Sequence, residues 1–182
     1  PVLVNVPMDV FSAEIDIELW LRLIANTKEL IKPSLDEETA RKIIDKLASA
    51  RTPLLYVGGG IALAGAFDEL VKFVDHMQIP VAHSLMGKGA VPDNHPLLLG
   101  MTGFWGMEFT NEQTLKADCI LALGTRFKEA DSSSWYDEYT FRIGKGGAEL
   151  FHIDIEPQEI GRNYPTTIGA VADIKMALHV LN

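Results

Sequence analysis

The residues with most to offer chemically are a glycine triplet and a set of short loops rich in small or polar residues. Gly58-Gly59-Gly60 closes the apolar run that starts at Leu54 and opens onto residues with helical spacing. A glycine turn between a parallel strand and a helix presents backbone N–H groups, so its chemistry would be the binding of an anion such as a phosphate. The dinucleotide fingerprint G-x-G-x-x-G is not met, because with Gly58 and Gly60 in place the third glycine position is Leu63. The acidic residue that should end the second strand is missing too, since that run ends in His83 and Ser84. A phosphate loop of the Walker type also fails, with Lys88 followed by Gly89 instead of Ser or Thr.

Four further segments belong with the triplet: Ser84-Leu85-Met86-Gly87, the stretch with Gly103 and Gly106, Thr125-Arg126, and Asp154-Ile155. Gly103 and Gly106 permit close backbone approach, Trp105 offers an aromatic surface, Arg126 can pair with a phosphate, and Asp154 can accept from ribose hydroxyls. Each has a plainer role open to it. The glycines can form a tight turn without a ligand, Trp105 can cover the edge of the core, Arg126 can be a surface ion-pair partner, and Asp154 can stabilise the turn before Pro157. Nothing points to a catalytic side chain or a metal. Cys119 is the one cysteine and sits in an apolar run as a small hydrophobe, and the five histidines show no H-x-x-x-H spacing.

These loops need elements to hold them. Six apolar runs that end in glycine or small residues alternate with helical stretches: 53–58, 79–84, 97–100, 119–124, 150–155 and 166–171. That alternation is the mark of an α/β protein with a parallel sheet covered on both faces, and ligands of such sheets bind beyond the carboxyl ends of the strands. Phe67, Leu70, Val71 and Val74 mark the apolar face of one helix. Ser34 and Glu37 have capping-box spacing ahead of a helix to about Ser49, with Ala40, Ile43, Ile44 and Leu47 on its buried face. Asp173 is placed to cap a last helix that runs to about Leu181. The opening residues do not fit the alternation: Pro1–Val6 reads as a strand, and residues 11–30 as at best partly helical.

Composition narrows the partners. The 182 residues are 47% hydrophobic with a net charge of -9, which describes a core-rich folded chain with no cationic surface for nucleic acid. No apolar run is long enough to span a bilayer and no signal segment is visible, so the expected location is cytoplasmic, with no membrane partner.

In this order the motifs resemble the central domain of thiamine diphosphate-dependent enzymes of the acetolactate synthase-like group. The resemblance covers almost the whole chain, through RTPLLYVGGG, IPVAHSLMGKGAVPDNHPLLLGMTG, ADCILALGTRF and FHIDIEPQEIGRN. It implies a six-stranded parallel Rossmann-like sheet of the DHS-like NAD/FAD-binding kind. Residues 1–33 would be the end of a preceding pyrimidine-binding domain and a linker, and 34–182 the central domain. The chain would then be a fragment of a 2-keto acid carboligase or decarboxylase, inactive alone, whose N- and C-terminal catalytic domains hold thiamine diphosphate and magnesium in a homodimer or homotetramer. The Gly-Asp-Gly motif that binds the diphosphate in such enzymes has no counterpart here, because the sequence contains no Gly-Asp dipeptide.

The resemblance also implies a bound FAD or ADP, or an empty domain, with a stand-alone nucleotide-binding module as the alternative reading. The matching positions are Gly58, Gly59, Gly60, Ser84, Leu85, Met86, Gly87, Gly103, Gly106, Thr125, Arg126, Asp154 and Ile155. Two departures stand out. Thr102 replaces the histidine of the family's Gly-Met-His-Gly stretch, and Lys128-Glu129 replaces an acidic pair.

Overall fold

The computed structural model describes residues 3–25 and 31–182. The chain divides into two compact units, 1–31 and 32–182. In the first, α1 (Met8–Phe11) is followed by α2 (Ile17–Ala25), whose start is fixed by Asp16: its Oδ1 accepts from Glu18 N–H at 2.8 Å. The strand expected over Pro1–Val6 does not form at Leu3–Val6, while Pro1 and Val2 lie outside the described residues. A strand exists only by pairing, and among the described residues no neighbour ladders to Leu3–Val6.

The second unit is the α/β domain. Its elements run α3 (Glu37–Ser49), β1 (Pro53–Val57), α4 (Gly60–Ala64), α5 (Phe67–Met77), β2 (Val81–His83), β3 (Leu98–Met101), α6 (Glu108–Leu115), β4 (Cys119–Leu123), β5 (Glu149–Asp154), β6 (Ile168–Val171) and α7 (Ile174–Leu181). All six expected strands are present, in the order β3-β2-β1-β4-β5-β6, and every pairing is parallel. The sheet has helices on both faces, but unequally.

Side chains along β1 alternate between two cores, as period-2 geometry requires. Leu55 and Val57 join Leu121, Leu123, Phe151 and Ile153 against α3, α5 and α7, where Ile43, Leu47, Leu70, Phe73, Val74 and Leu178 fill the space. Leu54 and Tyr56 face the other way, into Ile120, Phe127, Phe141, Leu150 and Tyr164. Here an aromatic cluster from irregular chain does most of the covering, with Tyr56 and Phe141 centroids 4.8 Å apart. The α6 helix also covers this side, through hydroxyls: buried Thr110 donates to Leu99 O at 2.7 Å.

Two helix starts differ in detail from expectation. The cap of α3 is Asp36 and not Ser34, because the Asp36 carboxylate accepts from Thr39 N–H at 2.8 Å. Its aspartate oxygens sit three residues before that donor, so the capping role falls two residues later than the Ser34–Glu37 spacing suggested. At α7 the expectation holds, with Asp173 Oδ1 accepting from Met176 N–H at 3.2 Å. On α5, Leu70 and Val74 are buried as expected, together with Phe73, whereas Phe67 is exposed and Val71 half-buried.

Candidate functional site

The strand order reverses between β1 and β4, so the loops that follow these two neighbours part to opposite sides and leave a crevice at their carboxyl ends. A cleft of about 620 Å³ opens there. Gly59, Gly60, Ser84, Met86, Thr125, Arg126, Asp154 and Ile155, from four different strand ends, are brought together on its wall. Gly58, Leu85, Gly87, Gly103 and Gly106 are placed outside that wall, as is Trp105.

The glycine triplet owes its composition to the protein's own packing. A Cβ on Gly58 would lie 2.3 Å from Gly124 O, and one on Gly60 would lie 2.6 Å from Gly124 Cα, so the turns after β1 and β4 touch backbone to backbone. Three of the donors around it are used within the protein. Gly58 N–H donates to Leu123 O at 3.0 Å, Gly60 N–H to Gly124 O at 3.0 Å and Ile61 N–H to Gly58 O at 3.3 Å. With α4 only five residues long, little helix stands behind the turn to favour an anion. Leu63, the residue that breaks the fingerprint, is 91% exposed and projects from α4 onto the cleft wall. A short helix that ends at Gly65 does not press against the sheet where the third glycine of the fingerprint would be needed.

The loop after β3 is held away from the cleft by α6. Gly103, at φ +86°, receives Asn111 Nδ2 on its carbonyl at 3.1 Å and donates its N–H to Asn111 Oδ1 at 3.0 Å. Thr102 is buried, donates to Asp131 O at 2.9 Å and is hydrogen-bonded to Tyr56 Oη at 3.2 Å. Burial raises the Tyr56 phenol far above its ordinary pKa, so this pair is neutral. Leu85 is tied down through its N–H, which Asp131 Oδ1 accepts at 3.0 Å.

Charge on the wall comes in both signs. Arg126 reaches from the β4 loop and is 3.8 Å from Glu159, a buried carboxylate that Arg162 also meets at 3.1 Å. Asp154, at the end of β5, is 5% exposed and accepts from Glu156 N–H at 2.9 Å. Lys32 and Asp173 form an ion pair at 2.8 Å. Burial alone would raise the Asp173 carboxyl, but the hydrogen bonds from Lys32 and Met176 outweigh it and hold the group below its ordinary value. Behind the wall, His152 is buried and lies 2.8 Å from Thr125 O, so its Nε2 carries the proton and props the β4 loop. Desolvation lowers the His152 pKa and keeps the ring neutral.

Sequence reasoning missed Lys32, Lys128, Asp131, Asp173 and Ile174, all of which line the cleft. Asp173 and Ile174 carry a legible signal, since they follow the carboxyl end of β6, but at Asp173 it coincides with that of a helix cap. Lys32 had none, because nothing local tells that it meets Asp173. Cys119 fits its plain reading: it is buried, and desolvation pushes its thiol up to about 12, which makes it a poor nucleophile.

Residues 40–181 match the family model described as thiamine pyrophosphate enzyme, central domain. The chain is 37% identical over 187 residues to acetolactate synthase 2, chloroplastic, of Zea mays, covering 100% of this chain and 27% of the relative. It is 34% identical to the acetolactate synthase of Arthrospira platensis, covering 98% and 30%, and 34% identical to the glyoxylate carboligase of Escherichia coli O157:H7, covering 100% and 29%. It thus spans less than a third of the length of the curated relatives it matches. A solved structure assigned to the thiamin diphosphate-dependent enzymes, from Mycobacterium smegmatis, shares the fold with a TM-score of 0.64 at 22% identity, over 86% of this chain and 29% of that one.

Proposed function

The chain belongs to the thiamine pyrophosphate enzymes, as their central domain, and we propose that it serves an acetolactate synthase-like 2-keto acid carboligase or decarboxylase. The observation that carries this is the similarity of essentially the whole chain to less than a third of such enzymes, with about two-thirds of each relative left over for other domains. In the parent enzyme thiamine diphosphate with magnesium supplies the electron sink for decarboxylation. The residues of this chain do not fit that cofactor. There is no Gly-Asp dipeptide, and among the described residues no three His, Cys, Asp or Glu side chains converge to hold a metal. The catalytic site is therefore assigned to the N- and C-terminal domains of the full enzyme, in a homodimer or homotetramer.

The cleft does fit a nucleotide, FAD or ADP. Its volume lies in the usual range for a ligand site, its wall supplies aliphatic surface from Leu63, Met86 and Ile155, and Asp154 is placed to accept from ribose hydroxyls. Because the N–H groups of Gly58, Gly60 and Ile61 are bonded within the protein, phosphate recognition is assigned mainly to side chains, with Arg126 first among them. Arg126→Ala is expected to weaken nucleotide binding by about 10- to 100-fold, the loss of one charged hydrogen bond. Calorimetric titration of the chain with FAD and with ADP checks it, and absence of heat and of any thermal shift with either would remove the nucleotide reading. A purely structural role is the second reading, favoured by the same internal hydrogen bonds, which tie the turn to β4 without a ligand. Added thiamine diphosphate, magnesium and pyruvate should give no turnover by the 182-residue chain, and turnover would overturn the assignment of the catalytic site to other domains.

A further inference from the structure

Three cations line the cleft, and two of them are already matched: Lys32 by Asp173 at 2.8 Å, and Arg126 by Glu159 at 3.8 Å. Lys128 is exposed and, among the described residues, has no ion-pair partner. The two other carboxylates on the wall are each engaged by a backbone N–H, Asp131 by that of Leu85 and Asp154 by that of Glu156.

The backbone that carries Lys128 is built to hold it there. Phe127, between Arg126 and Lys128, is 2% exposed and sits at φ +46°, a left-handed bend that a side chain larger than glycine rarely adopts. Its ring is packed among Tyr56, Phe141 and Tyr164, at centroid distances of 5.1, 5.5 and 5.2 Å. Its carbonyl accepts from Trp135 Nε1 at 2.7 Å and from Asn163 Nδ2 at 3.1 Å, and the same amide donates to Arg126 O at 3.0 Å. A buried, hydrogen-bonded anchor thus carries one cation on either side, both on the wall of one cleft. Such preorganisation lowers the cost of ordering two long side chains around an anion.

We propose that Lys128 is a second phosphate ligand beside Arg126, and that the cleft selects a nucleotide with a free terminal phosphate, of the ADP class, over one whose diphosphate is esterified at both ends, such as FAD. The free terminal phosphate of such a diphosphate carries close to two charges at neutral pH, against one on each phosphate of a diphosphate esterified at both ends, and so gains more from an unmatched lysine. The inference rests on the reading of the cleft as a nucleotide site.

Titration calorimetry of the wild-type chain, Lys128→Met and Arg126→Ala with ADP and with FAD separates the two. The expected result is tighter binding of ADP than of FAD, a loss of about tenfold in ADP affinity for Lys128→Met with less than twofold for FAD, and a loss for both ligands with Arg126→Ala. Melting temperatures of the variants, expected to match the wild type because both side chains are exposed, establish that each is folded. If Arg126→Ala weakens both ligands while Lys128→Met changes ADP binding by less than twofold, or changes both ligands equally, the role of Lys128 is overturned and the nucleotide site stands. If neither ligand binds the wild type, both fall.

Discussion

At Gly124 two constraints coincide: its φ is +56°, and an added Cβ would lie 2.7 Å from Gly60 Cα. Alanine there has to distort either the β4 turn or the glycine turn facing it, at about 2–4 kcal/mol from strain and overpacking together. Thermal unfolding of Gly124→Ala is expected to show a midpoint lowered by roughly 5–15 °C. His152 and His83 supply a pH dependence. Both are buried, and desolvation lowers their pKa below the ordinary 6.5, against which the hydrogen-bonded carbonyls of Thr125 and Ser84 act only in part. Below about pH 6.5 the unfolded chain takes up protons that the folded rings refuse, so stability falls as the pH drops and is restored on return to neutrality. Urea midpoints measured between pH 7.5 and 5 should decline, and the decline should be shallower in His152→Gln. A flat profile for the wild type would mean that these rings are protonated in the fold.

Elements were legible where local chemistry and burial agree. The runs that became β1 and β4 are apolar at every position because both faces of a central strand are covered, and each stops at a glycine that the neighbouring turn requires. The start of α3 was located to within two residues, but Ser34 and Asp36 are both acceptable caps by type and only the position of the Thr39 N–H decides between them. The cleft was legible in part for a similar reason. Residues at strand ends, such as Arg126 and Asp154, could be grouped by the general rule for open sheets, whereas strand order, and with it which loops share the crevice, is a long-range outcome. Gly103 and Gly106 show that limit: a glycine-rich loop reads the same whether it faces a ligand or, as here, sits outside the cleft wall with Asn111 of α6 holding Gly103. For α7 the prediction is specific. Asp173→Ala removes both the cap and the Lys32 ion pair and should cost about 1–2 kcal/mol in denaturant unfolding, while Ser34→Ala, which caps nothing, should leave the midpoint unchanged.

At the scale of the molecule, a parallel sheet with a reversal between β1 and β4 concentrates what chemistry the chain has on one edge. On the reading proposed above, with the catalytic cofactor held by other domains, the contribution of this domain to an enzyme would be the cleft and the scaffold around it. No helix among the described residues is long and apolar enough to cross a membrane. The central claim, that the crevice is a nucleotide site held by side chains and not by the glycine turn, is tested most directly by diffraction from crystals grown with millimolar ADP or FAD. The account predicts ligand density at the carboxyl ends of β1 and β4, with the phosphates against Arg126 and a ribose hydroxyl on Asp154. A cleft without ligand at that concentration, or phosphates seated on the N–H groups of Gly58–Gly60, would contradict it.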